Sequence, residues 1–145
     1  MTPVLDQTIQ KQIKFYKNSS DFDIAASNKL IIMKTICTKT KIKKEYIEEV
    51  RQWFQSLENR INETLRSLEN EKVIIESAFL DKQGDDYYLI YYMKAEDLNF
   101  ARQAYHASTL EIDKFHKSCW KKYCEQTETL EALIDLNMLS AYKDN

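Results

Sequence analysis

The stretch from Val73 to Lys94, VIIESAFLDKQGDDYYLIYYMK, constrains the chain most: two runs of β-branched and aromatic residues flank QGDD, whose glycine is the only one in 145 residues. Such runs around a short Gly-Asp turn predict a β-hairpin, with strands over 73–81 and 86–94. Closing it on Gly84 and Asp85 fixes the register, with Glu76 opposite Met93, Ala78 opposite Tyr91 and Leu80 opposite Leu89. The other face carries Ile75, Ser77, Phe79, Tyr88, Ile90, Tyr92 and Lys94. Both faces are apolar and aromatic, so both need cover.

The remaining elements fall around the hairpin. Asn28 to Lys39 is a β-branched run that fits a central first strand, since Leu30, Ile32 and Ile36 on one face and Ile31, Met33 and Cys37 on the other are all apolar. From Ile42 to Asn70, Tyr46, Val50, Trp53, Leu57, Ile61, Leu65 and Leu68 draw one stripe and predict a single long helix. After the hairpin, AED opens a helix with Leu98, Ala101, Ala104 and Tyr105 on one side. Ser108 and Glu111 have capping-box spacing, so this helix should stop near Ala107 and a second begin at once. Thr129 to Leu136 alternates Leu130, Ala132, Ile134 and Leu136, and the order of elements assigns it as the last strand.

The fold expected is therefore α+β: a ferredoxin-like β-α-β-β-α-β chain with a four-stranded antiparallel sheet and helices on one face. Residues 28–138 form the domain, 1–27 an N-terminal extension that is a short docked helix or a frayed arm, and 139–145 a tail. A sheet covered on one side leaves its second face open, and the aromatic residues there imply a homodimer with sheets face to face. The other reading has the N-terminal segment or the C-terminal tail folding over that face.

Composition narrows the partners. Charged residues make up 30% of the chain but balance to a net of −2, and the basic KTKIKK segment (39–44) is an isolated run, so neither nucleic acid nor a membrane surface is expected. No stretch approaches the ~20 apolar residues of a membrane span, and the N-terminus lacks the apolar core of a signal peptide. Cys37, Cys119 and Cys124 are an odd set without a CxxC, and two histidines are too few for a usual ligand cluster. Reduced thiols, a cytoplasmic location and no metal or cofactor are the expectation.

ESAFLD, DYYLIYYMKAEDL and IDKFHK resemble the pattern of an uncharacterised family of small bacterial proteins within the dimeric α/β barrels, the superfamily of antibiotic-biosynthesis and haem-degrading monooxygenases. The resemblance spans about Leu30 to Leu136 and implies a pocket between sheet and helices. Where the haem-degrading relatives carry a tryptophan late in the third strand, this chain has Met93, a departure that argues against haem.

Glu76 leads the candidate residues, being a carboxylate among Val73, Ile74, Ile75, Ala78, Phe79 and Leu80. A charge there must face water, be paired, or titrate high. It would act with His116, or His106, as an acid-base pair; alternatively it is a structural carboxylate satisfied by a tyrosine hydroxyl or Lys34. Asp113 lies three residues before His116 and could orient the imidazole, although such a pair is also a common surface contact. Tyr91, Met93, Asp113 and His106 complete the substrate-binding set. The function these residues imply is small-molecule binding, with cofactor-independent monooxygenase-like chemistry, against a non-catalytic module whose role is to dimerise.

Overall fold

The computed structural model of the chain describes residues 33–138. The expected extension over 1–27, the tail over 139–145 and the first residues of the expected strand one lie outside the described residues. Within them the elements run β1 (Lys34–Ile42), a 3₁₀ turn (Lys44–Tyr46), α1 (Ile47–Asn59), α2 (Ile61–Glu71), β2 (Val73–Gln83), β3 (Asp86–Ala95), α3 (Leu98–Ala107), α4 (Glu111–Tyr123) and β4 (Cys124–Thr129). The strands form one antiparallel sheet in the order β2-β3-β1-β4. The protein is α+β, with its helices packed on one face of that sheet.

The hairpin has the expected register, Glu76 opposite Met93, Ala78 opposite Tyr91 and Leu80 opposite Leu89. Gly84 takes a φ of 61° at the first central position of the turn, which a residue with a Cβ adopts only at a cost. At the other end β2 carries a bulge between Val73 and Ile75. Val73 and Glu76 are three residues apart and would point to opposite faces of a regular strand; the bulge turns both toward the helices.

The long helix expected over 42–70 is two helices that break at Arg60, where φ is −102° and ψ is 41°. Apolar spacing continues across the break, so periodicity alone could not mark it. Local contacts hold it: the Arg60 guanidinium donates to both Glu63 oxygens at 2.7 and 2.8 Å, and the Thr64 hydroxyl lies 2.8 Å from the Leu57 carbonyl. Lys72, left-handed at φ 56°, ends α2 and turns the chain directly into β2.

Asp97 caps α3 by accepting from the Phe100 amide at 3.0 Å, and α3 ends at Ala107 as expected. Ser108 and Glu111 do not form a capping box. Leu110 is the residue that precedes α4, and the Ser108 hydroxyl accepts from the Leu110 amide and donates to Asp113.

The last strand is also displaced from its expected place. β4 is CEQTET, Cys124–Thr129, and it follows α4 without a loop. It is an edge strand that pairs only with β1, and its five residues after Cys124 are exposed. Polar edges of this kind resist pairing with other chains, and they hide from a search for alternating apolar residues. The alternating segment that drew the assignment lies beyond it, with Leu133, Ile134 and Leu136 exposed. That segment attaches to the sheet face opposite the helices. Asp135 there accepts from buried Lys94 and from Thr35, both at 2.8 Å.

Two packed clusters lie between sheet and helices. The larger centres on Trp53 and joins Ile42, Val50, Leu57, Leu89 and Cys119; the smaller joins Val73, Ala95 and Ala101.

Candidate functional site

Between those clusters the helix-side face of the sheet is hollow. A cavity of about 550 Å³ runs from β1 and β3 to the inner sides of α2, α3 and α4, within the range of small-molecule pockets. The six residues singled out from the sequence, Glu76, His116, Tyr91, Met93, Asp113 and His106, all line it. The β-strand alternation places Glu76, Tyr91 and Met93 on its floor, beside Ile36 and Thr38 of β1. Helical spacing brings Asp113, His116 and Trp120 to it from α4, and Ala101 and Tyr105 from α3.

Glu76 is deep in the molecule yet half-exposed to the cavity. Loss of bulk water pushes its carboxyl up to about 7, although the Tyr91 phenol, which hydrogen-bonds it, pulls the other way. Burial likewise raises Tyr91 well above an ordinary tyrosine, so the phenol keeps its proton and donates. Lys34 is exposed and plays no part in this pair. At neutral pH Glu76 is thus poised between acid and base.

His116 is held differently from the sequence expectation. Its Nδ1 accepts from the Trp53 indole N–H at 3.1 Å, not from a group on its own helix. Burial lowers the imidazole to about 4, against a smaller opposing pull from Asp113. The ring is therefore neutral with its proton on Nε2, a hydrogen-bond donor on the cavity wall.

Asp113 faces serines instead of His116. The Ser67 hydroxyl lies 2.5 Å from one of its oxygens, and Ser108 donates to the other. Ser67 Oγ is also 3.0 Å from Glu71 Oε1. A hydroxyl has one proton to give, so Ser67 cannot donate to both carboxyl groups at once. The arrangement closes if Glu71 carries the proton and donates to Ser67, which donates to Asp113. Burial and the nearby Glu76 charge raise Glu71 to about 8, in agreement with that proton count.

Glu71 and Ser67 escaped the sequence reading. Glu71 lies in a polar ENEK run, just past the end of the helix expected over 42–70. The signal that could have found it is its place three residues after Leu68, on the continuation of the apolar stripe. Tyr105, expected on the apolar side of its helix, and Trp120 also line the cavity. His106 is exposed, at the mouth.

Elsewhere the chemistry is sparse. The three cysteines are free, and burial raises the Cys119 thiol and pushes Cys124 up to about 12, so neither ionises at neutral pH. Among the described residues no three His, Cys, Asp or Glu side chains stand together as a metal site, and no helix is long and apolar enough to cross a membrane.

Residues 33–141 match the model of a family of unknown function, DUF6176, and the chain belongs to that family. No curated protein matches the chain.

Proposed function

We propose that this chain binds a small molecule between sheet and helices and acts on it as a cofactor-independent, monooxygenase-like enzyme, with Glu76 as the base. The carrying observation is a carboxyl group near neutrality, held by a phenol and opening on a cavity of about 550 Å³. An oxygenase without flavin or metal needs a substrate that supplies the electrons itself. Glu76 would take a proton from an activated C–H, the carbanion would reduce O₂, and the net change CH₂ + O₂ → C=O + H₂O balances with no other reductant. Tyr91 would hold Glu76, the His116 N–H would meet the developing oxyanion, and Met93 would form a wall. The order of strands and helices fits a ferredoxin-like chain in which each of the two helical connections is a pair of helices.

The dimeric α/β barrel belongs to the same proposal. Phe79 on the open sheet face is 60% exposed and Leu133 of the following segment 88%, surface that a second copy would cover. A purely structural dimer would need those residues but not a hollow lined with carboxyl groups, which favours the catalytic reading. The three free thiols fit a cytoplasmic location.

Native mass spectrometry on protein purified from cells reads subunit number and any retained molecule together. A dimer carrying a small molecule is expected, and Glu76→Gln should keep the molecule while lowering turnover by about 10²-fold or more. Turnover unchanged in Glu76→Gln would remove the base; a monomer would remove the barrel.

A further inference from the structure

The charges around the cavity are sorted by depth. Its carboxyl groups, Glu71, Glu76 and Asp113, lie inside: Glu71 is 4% exposed, Asp113 2%, and Glu76 lies on the sheet. Its cations lie at the opening. Arg102 on α3 and Lys121 on α4 are exposed, and Lys117, half-buried, reaches over the Tyr105 ring and donates to the His106 carbonyl at 3.2 Å. Among the described residues, the acids that line the cavity are the three interior ones. Between mouth and interior the wall is apolar and aromatic, with Leu98, Met93, Tyr105 and Trp120.

We infer that the cavity takes an amphipathic organic acid, oriented with its anionic group at the Arg102, Lys117 and Lys121 mouth and a hydroxyl or other proton-bearing end against Glu76. This rests on the small-molecule reading above and names the class of molecule. Three facts fix the orientation. An anion driven inward would meet Asp113, whose two oxygens are already committed to serines and which makes no ion pair among the described residues. Held at the mouth, the same anion stays partly hydrated and meets three cations, among them a guanidinium suited to carboxylate or phosphate oxygens. In its ionised form, the one that acts as base, Glu76 accepts a hydrogen bond and offers none, so the inner end that this form takes brings a hydrogen. A purely cationic molecule would have to pass the basic mouth, and a neutral one would leave that mouth unused.

Three naphthalene probes test this on the full chain, with quenching of Trp53 and Trp120 fluorescence as the readout: 2-naphthol, 6-hydroxy-2-naphthoate, whose hydroxyl and carboxylate lie at opposite ends, and 2-naphthylmethylammonium. The hydroxynaphthoate is expected to bind about tenfold more tightly than naphthol, with the preference shrinking at high salt because the mouth is solvent-exposed. In the triple variant Arg102→Gln, Lys117→Gln, Lys121→Gln the preference should collapse while naphthol binding persists, which also shows that the fold is intact. Naphthol bound as tightly as hydroxynaphthoate, the ammonium bound tightest, or a preference that survives the triple variant would each overturn the anionic mouth and leave the cavity reading standing. Failure of all three probes would overturn the cavity reading itself, and the inference with it.

Discussion

The cluster around Trp53 and the hollow beside Glu76 are built from the same elements, and two residues along a strand separate solid from empty. On β1, Thr40 and Ile42 are fully buried while Ile36 and Thr38 line the cavity; on β3, Leu89 is packed while Tyr91 and Met93 face open space. On α4, Cys119 belongs to the packed side and Asp113 and His116 to the hollow. The packed region follows what burial rewards, with apolar groups in close contact. The hollow forgoes those contacts and places three carboxyl groups where ionisation is costly. Neither feature helps the chain to fold, which is why function is sought there.

Breaking the packed side should have the largest effect. Trp53 is 2% exposed, stacks near Phe54 and His116, and donates the hydrogen bond that fixes the His116 tautomer. Trp53→Ala should cost about 3–5 kcal/mol in denaturant unfolding. A loss below about 1 kcal/mol would mean that this cluster is not the core.

The hollow side should respond to pH instead. Glu76 and Glu71 titrate at about 7 and 8 in the fold against 4.5 ordinarily, so the native state binds more protons over that interval. Their contribution is fully present below about 4.5 and is lost as pH rises through 7 and 8. His116 has the opposite sign: titrating at about 4 against 6.5, it costs stability as pH falls through that window. Above pH 6.5 the carboxyl slope dominates, and the raised Cys119 and Cys124 thiols add a slope of the same sign only toward pH 9. Glu71→Gln with Glu76→Gln, which copies the protonated forms, should flatten that slope and raise stability at pH 9 by about 1–3 kcal/mol, with little change at pH 5. Urea midpoints at the three values of pH 5, 7 and 9 would show it; an unchanged slope would place the protons elsewhere.

How far the sequence could be read follows the same division. The hairpin, its register and the faces of Glu76, Tyr91 and Met93 were legible because one glycine and a period of two decide them. The stop of α3 near Ala107 was legible too, for a reason that proved wrong, since Ser108 serves Asp113 and not a capping box. What was hidden depended on contacts between distant segments. Glu71 is polar in a polar run, and only the meeting of α2 with α4 through Ser67 gives it a role. The His116 tautomer is set by Trp53, 63 residues away, and no local spacing announces it. β4 was missed because an edge strand held by backbone pairing needs no apolar pattern.

A matched pair of substitutions on one strand sharpens the contrast with the smallest expected effect. Leu89 and Met93 lie on the same face of β3, and Phe can replace either. Leu89 is 2% exposed within the Trp53 cluster, so a larger ring there must displace neighbours already in contact, at about 1–3 kcal/mol. Met93 is half-buried against the smaller cluster and borders the cavity, so its ring can turn into open space at less than about 1 kcal/mol. The two variants should also differ in ligand capacity, because Met93→Phe consumes cavity volume that Leu89→Phe leaves alone. Equal unfolding costs for the pair would mean that the strand is packed alike at both positions, and the hollow beside Glu76 would then close in solution. A small cost at Met93 together with weaker naphthol binding would instead show that the cavity is open space the protein holds for something other than itself.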